Sequence, residues 1–144
     1  MTTTVRQMLQ GRPVVHQVGP TDTVYEALRL MADQNIGAVL VRSGEQIDGI
    51  LSERDYARKV ILLGKTSKDT LVSEIMTTDV ISVDPGWTAD RCMALMTQRR
   101  VRHLPVVEQD QLVGIVSIGD VVRAVVEEQQ FTISSLERYI SSGQ

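Results

Sequence analysis

Behind an apolar run, a serine followed three residues later by an aspartate occurs twice, in Gly49-Ile-Leu-Ser-Glu-Arg-Asp55 and in Gly114-Ile-Val-Ser-Ile-Gly-Asp120. A carboxylate at the start of a helix can accept two charge-assisted hydrogen bonds from a vicinal diol, such as the 2′,3′-diol of a ribose. Ser52 and Ser117, one turn earlier, can present a hydroxyl to the sugar or to a phosphate. The unpaired N–H groups of the helix start favour an anion. Ser-x-x-Asp is also a capping box, so each pair taken singly reads equally well as a helix cap and nothing more.

The two stretches are copies. Asp55 and Asp120 are 65 positions apart, and at that offset Val18–Asp55 aligns without a gap on Val83–Asp120. Val18, Pro20, Thr23, Leu30, Met31, Val41, Gln46, Gly49, Ile50, Ser52 and Asp55 are identical to their partners, 11 of 38 positions. Unrelated chains of average composition would share roughly 6–7%. The chain is therefore a tandem duplication, and its elements are read twice.

Val5, Met8 and Leu9 have helical spacing, which predicts a short amphipathic helix before Gly11. Val14-Val15 reads as a short strand, followed by the turn Gly19-Pro-Thr-Asp22. Thr23-Val-Tyr-Glu26 has the spacing of a capping box, and the following helix carries Val24, Ala27, Leu28, Met31 and Ala32 on one face before stopping near Asn35–Gly37. Ala38–Val41 and Ile47–Leu51 form a hairpin, and a second helix opens at Ser52–Asp55. Gly64–Leu71 is a polar linker, and Val72–Met76 is a helical turn. The second copy gives a strand at Asp79–Val83 and a helix at Thr88–Arg99. Hairpin strands follow at Leu104–Val107 and Leu112–Val116, then a helix at Asp120–Gln129. Arg91 stands where an acid would complete the cap at Thr88, so that cap is expected to be weaker. Ile133, Leu136 and Ile140 predict a further helical piece. The expected fold is α/β (α+β), tandem β-α-β-β-α repeats divided as 1–71 and 72–144. Neither half buries enough surface to stand alone, so the expectation is a pseudo-two-fold arrangement with clefts where the sheets meet.

Composition narrows the function. The 144 residues carry a formal charge of −3, which offers no broad footprint for nucleic acid. Cys92 is the single cysteine, which suits a reducing compartment. Met1–Gln10 lacks a signal-peptide core, and no apolar run approaches the roughly 18 residues that span a bilayer. The expected location is cytoplasmic.

Two repeats closing on Gly-hydrophobic-hydrophobic-Ser-x-x-Asp, with Ile75-Met-Thr-Thr78 and His103-Leu-Pro-Val106 in their places, resemble a CBS-domain pair. This is the Bateman module, named after cystathionine β-synthase. Similar pairs regulate inosine monophosphate dehydrogenase, chloride channels and the γ subunit of AMP-activated kinase. The resemblance spans Val14–Gln129 and leaves no catalytic domain outside it. It implies a stand-alone bacterial-type module, a homodimer, and an adenine-containing ligand (AMP, ADP, ATP, NAD(H) or S-adenosylmethionine).

The resemblance also implies site residues. One site would join Ser52 and Asp55 to a slot made by Thr77, Thr78, Asp79, Val80 and Ile81, walled by Ala38 and Val39 next to Gly37. Arg54, Arg58 and Lys59 stand near for phosphate, Arg58 through its fork of donors. The other would join Ser117 and Asp120 to Arg12, Val14 and His16, with Leu104 and Pro105 as walls. In the related γ subunits, basic residues at the place of Arg102 and His103 contact phosphate. The first repeat has Gly37 and Ala38 there, so the two sites are expected to differ. Solvated charges, core strands and an unliganded histidine remain the plain alternatives for these residues.

Four functional classes compete for these features. A regulatory module that binds adenine nucleotides without catalysis fits best. A structural dimerisation module with vestigial clefts is the alternative. A nucleic-acid binder using Arg99–His103 is opposed by net acidity and the absence of stacking aromatics on strands. An enzyme is opposed by the lack of metal-ligand spacing and of any nucleophile with a base. No catalytic residue, metal or catalytic cofactor is expected, and an effector protein could read the signal.

Overall fold

The computed structural model describes residues 2–11 and 15–142. In order these form α1 (Val5–Met8), β1 (Gln17–Val18), α2 (Val24–Gln34), β2 (Ala38–Ser43), β3 (Gln46–Ser52) and α3 (Glu53–Tyr56), which continues as a π-helical segment at Ala57–Ile61. They are followed by α4 (Val72–Ile75), α5 (Ala89–Arg99), β4 (His103–Glu108), β5 (Gln111–Ser117) and α6 (Ile118–Ser142). No helix among the described residues is long and apolar enough to cross a membrane. The chain is a mixed α/β protein with small sheets.

The residues resolve into two compact units, Val14–Ile81 and Met1–Pro13 with Ser82–Gln144. The sequence repeat divides at 71/72, but packing divides elsewhere. Helix α1 belongs with the second repeat, because Val5 is fully buried among Val83, Ala89, Cys92 and Val121. Backbone bonds tie it there, Val5 N–H to Trp87 C=O at 2.8 Å and Arg6 N–H to Pro85 C=O at 2.9 Å. Burying one valine stabilises by about 1.5–3 kcal/mol, enough to decide where a four-residue helix docks. Helix α4 belongs with the first repeat: Val72 and Ile75 are buried with Val24, Ala27 and Leu51.

In the first unit β1 runs parallel to β2, and β2 antiparallel to β3, in the order β1-β2-β3. In the second unit β4 and β5 form the matching hairpin. The duplication extends to defects: the register slips at Val41/Arg42 in one hairpin and at Val106/Val107 in the other. Both long helices following a Thr cap end on a left-handed residue, Asn35 and Arg100. Thr88 accepts from Arg91 N–H at 3.3 Å, longer than the 3.1 Å from Glu26 N–H to Thr23. Arg91 instead lays its guanidinium 3.6 Å from the Trp87 ring centre.

Three expectations are corrected. Asp79–Val83 is not a strand, because Val80 N–H turns back onto Thr78 C=O at 2.9 Å and only Thr77 and Val83 make bridges, to Ile50 and Val106. The first strand is Gln17–Val18 rather than Val14–Val15, of which Val14 lies outside the described residues. The two expected C-terminal helices are one, α6, since no proline or glycine interrupts the chain between Asp120 and Ser142.

Gly49 and Gly114 open the two repeated motifs, and both face a close neighbour. A methyl on Gly49 would stand 2.6 Å from the Thr77 carbonyl oxygen, which is fixed in the Ile50–Thr77 bridge. A methyl on Gly114 would meet Leu9 Cδ1 at 2.7 Å, the end of a rotatable side chain. Gly49→Ala is therefore expected to lose about 1–3 kcal/mol and Gly114→Ala clearly less, as read from urea unfolding of the two variants.

Candidate functional site

Each Ser-x-x-Asp pair stands where a hairpin strand turns into a helix. Ser52 is extended (φ −119°, ψ 163°), and Glu53 begins α3. Glu53 N–H donates to Gly37 C=O at 3.1 Å, and in the other copy Ile118 N–H donates to Arg102 C=O at 2.8 Å. These bonds hold the helix start against the opposing strand, where Ala38 pairs with Ser52 and His103 with Ser117.

Around Asp55 the contacts are dense. Its Oδ2 accepts from Ser52 N–H at 3.0 Å and from Ser52 Oγ at 3.1 Å, while Asp55 N–H donates to Ser52 Oγ at 3.2 Å. Thr77 Oγ1 donates to Oδ1 at 3.2 Å, and Lys59 Nζ stands 3.3 Å from the same oxygen. Lys59 also donates to Ile75 C=O at 3.0 Å. So Ser52, Asp55, Lys59 and Thr77 are brought together. The capping box is real, and it uses one carboxylate oxygen while the other faces Thr77 and Lys59. The Thr77 hydroxyl contact was not legible in sequence, because it depends on the bridge that lays residue 77 beside β3. The Lys59 contact was signalled by its i,i+4 spacing from Asp55.

Around Asp120, Oδ2 accepts from Ser117 N–H at 2.8 Å, and Asp120 N–H donates to Ser117 Oγ at 3.2 Å. Arg123 Nη1 lies 3.9 Å from Oδ1. His103, at the start of β4, is partly buried. Burial pushes its imidazole pKa down, Asp120 pulls it partly back, and Arg102 adds to the lowering.

The other expected residues divide by exposure. Arg54, Arg58, Thr78, Asp79 and Arg102 are exposed, while Val80, Ile81 and Gly37 are half-buried. Ala38, Val39, Leu104 and Pro105 are buried. Ala38, Val39 and Leu104 belong to the core. His16 is half-buried and accepts from Leu40 N–H through its carbonyl at 3.3 Å. Arg12 and Val14 lie outside the described residues. Within the expected basic cluster, Arg100 serves as the left-handed cap of α5. A depression of about 350 Å³ lies beside Gly37 and Glu53, lined also by Leu28, Met31, Asn35 and Ile36. Sequence reasoning placed none of those last four in a site.

Comparison with known proteins gives a consistent result. The family model described as CBS domain matches residues 5–61 and 72–127. The mitochondrial CBS domain-containing protein CBSX3 of Arabidopsis thaliana is 48% identical over 127 residues, 85% of this chain. The chain spans 62% of that relative's length. YhcV of Bacillus subtilis, a CBS domain-containing protein, is 39% identical over 106 residues, 74% of this chain and 75% of YhcV. A solved structure from Burkholderia ambifaria MC40-6, described as a signal-transduction protein with CBS domains, is 51% identical. It superposes with a TM-score of 0.84 over 91% of this chain and 99% of its own.

The His103 environment makes a pH prediction. Its folded pKa lies below the ordinary 6.5, so the unfolded state binds more protons between the two values. The stability it contributes is present above 6.5 and is lost as pH falls toward the folded value. Urea unfolding at pH 7.5 and 5.5, both on the order of one unit from the free imidazole value, should show a smaller loss on acidification for His103→Gln than for the unaltered chain.

Proposed function

This chain belongs to the CBS-domain family, and from that premise we propose that its two repeats form a regulatory module that binds an adenine nucleotide, AMP, ADP, ATP or NAD(H), without chemistry. One observation carries the reading. In both copies a carboxylate is held at the first turn of a helix by its own serine, with a cation beside it, Lys59 at 3.3 Å from Asp55 and Arg123 at 3.9 Å from Asp120. Such a carboxylate is already oriented for a diol, and a carboxylate has about four acceptor positions.

At Asp55 those positions face Ser52 N–H, Ser52 Oγ, Thr77 Oγ1 and Lys59 Nζ. A ribose diol there takes the place of Lys59 or Thr77, and the released ammonium is then available to a phosphate. Thr77, Thr78, Asp79, Val80 and Ile81 supply the adenine slot through their irregular backbone, beside Ala38 and Val39. At Asp120 the phosphate partners are Arg102 and His103, with Leu104 and Pro105 as walls. Arg54 and Arg58 serve the first site. The module works as a homodimer in the cytoplasm, where nucleotide occupancy changes its affinity for an effector.

A second reading has its own support. Both acids already cap helices, and that role alone would retain them in a structural dimerisation module with vestigial clefts. Calorimetric titration with AMP, ATP and NADH separates the two. Asp55→Ala and Asp120→Ala should each weaken one binding event by at least tenfold. Each also loses about 1 kcal/mol of stability with its cap. Unchanged binding in both variants, with the lowered stability, leaves only the capping role. Arg102→Ala should weaken the Asp120 event by about tenfold, the loss of one charge-assisted contact, and spare the other. Equal loss of both events would remove the assignment of the basic cluster to one site.

A further inference from the structure

Helix α6 is 25 residues long, and only its beginning is covered. Val121 and Ala124 are buried, and Val125 packs against the same core. From Gln129 to Ser141 every residue is exposed. A helical stretch of that length with no packed face is marginal in water. Its apolar residues other than Phe131, which is 53% exposed on the outer side, are nonetheless ordered. Val122, Val126, Ile133, Leu136 and Ile140, with Gln129 completing the row, follow one another in steps of 4, 3, 4, 3 and 4. That is the alternation of a coiled-coil seam. Ile133 is 54% exposed, Leu136 57% and Ile140 63%.

We propose that α6 pairs with α6 of a second copy of this chain as a parallel, in-register, two-stranded coiled coil. The occupant follows from the row itself. Val126, Ile133 and Ile140 take one core position and Val122, Gln129 and Leu136 the other. β-Branched residues at the first position with leucine at the second favour two parallel strands, and here Val126, Ile133 and Ile140 fill the first while Leu136 supplies the leucine. Gln129 fixes direction and register. In a parallel pair it meets its own copy, and each amide can donate and accept. In the antiparallel register Gln129 faces Ile133 and its amide is left unsatisfied in an apolar seam. The one gain there, an exposed Arg123–Glu137 pair, is worth little by comparison. Covering the exposed share of the row and of Tyr139 on both copies removes on the order of 1,200 Å² from water, within the range of specific interfaces. The seam begins two residues beyond Asp120 on the same helix, but its test needs no nucleotide.

Cysteine scanning of the full chain tests it. Facing core positions of a parallel pair come within disulfide reach, with Cα atoms about 6 Å apart. Cys92 is fully buried and leaves the background low. Under mild oxidation Gln129→Cys and Leu136→Cys should each link to themselves in most of the protein. Arg138→Cys, on the outer side of the helix, should link at least tenfold less. Equal linking at all three positions means random collision and overturns the proposal. Linking only in a mixture of Gln129→Cys with Ile133→Cys means an antiparallel seam and overturns it too. No linking at 129 or 136 in variants whose far-ultraviolet dichroism is unchanged means the row is bare or covered by a different protein, and the proposal falls.

Discussion

The hydrogen bonds at the strand-to-helix turn are what the rest of the structure depends on. Ser52 and Asp55 satisfy each other's backbone N–H groups, and Glu53 N–H is taken by Gly37 across the hairpin. Leaving such donors unpaired costs about 1–3 kcal/mol each. The chain therefore has one cheap way to leave β3, and it points the next helix and its carboxylate in a fixed direction. The same geometry at Ser117, Asp120, Ile118 and Arg102 makes the second unit a copy of the first.

The copies differ where their surroundings differ. Beside Asp55 stand Thr77 and Lys59, the latter on a π-helical segment. Beside Asp120 stands Arg123 on an uninterrupted α-helix. The wider turn after Asp55 places Lys59 where it can reach both the carboxylate and the Ile75 carbonyl. Duplication kept the cap and let the flanking charge change, so the two copies of one turn set different cations beside the carboxylate.

Much of this was legible in the sequence. The offset, the hairpins, the Thr23 and Thr88 helices and the serine–aspartate turns are local features, set by periodicity, caps and turn residues, and the structure has them where those signals stand. What escaped depends on partners distant in the chain. Both halves have an apolar core, and nothing local says that Val5 joins the one around Val83. Asp79–Val83 has strand composition, yet its backbone is used in a tight return at Thr78–Val80. The Thr77 hydroxyl reaches Asp55 only because a bridge to Ile50 lays the two segments side by side.

Helix α1 packs with a unit whose remainder begins at Ser82, while Val14–Ile81 is continuous. On a ribosome that difference sets an order. The continuous unit holds every strand of its sheet once Ile81 has left the exit tunnel, whereas Val5 must wait, apolar and uncovered, for α5 and α6 to be synthesised. At about 5–20 residues per second, that exposure lasts seconds. A nascent chain stalled between the two repeats would therefore hold all the strands of one sheet while Val5 still lacked the residues that cover it.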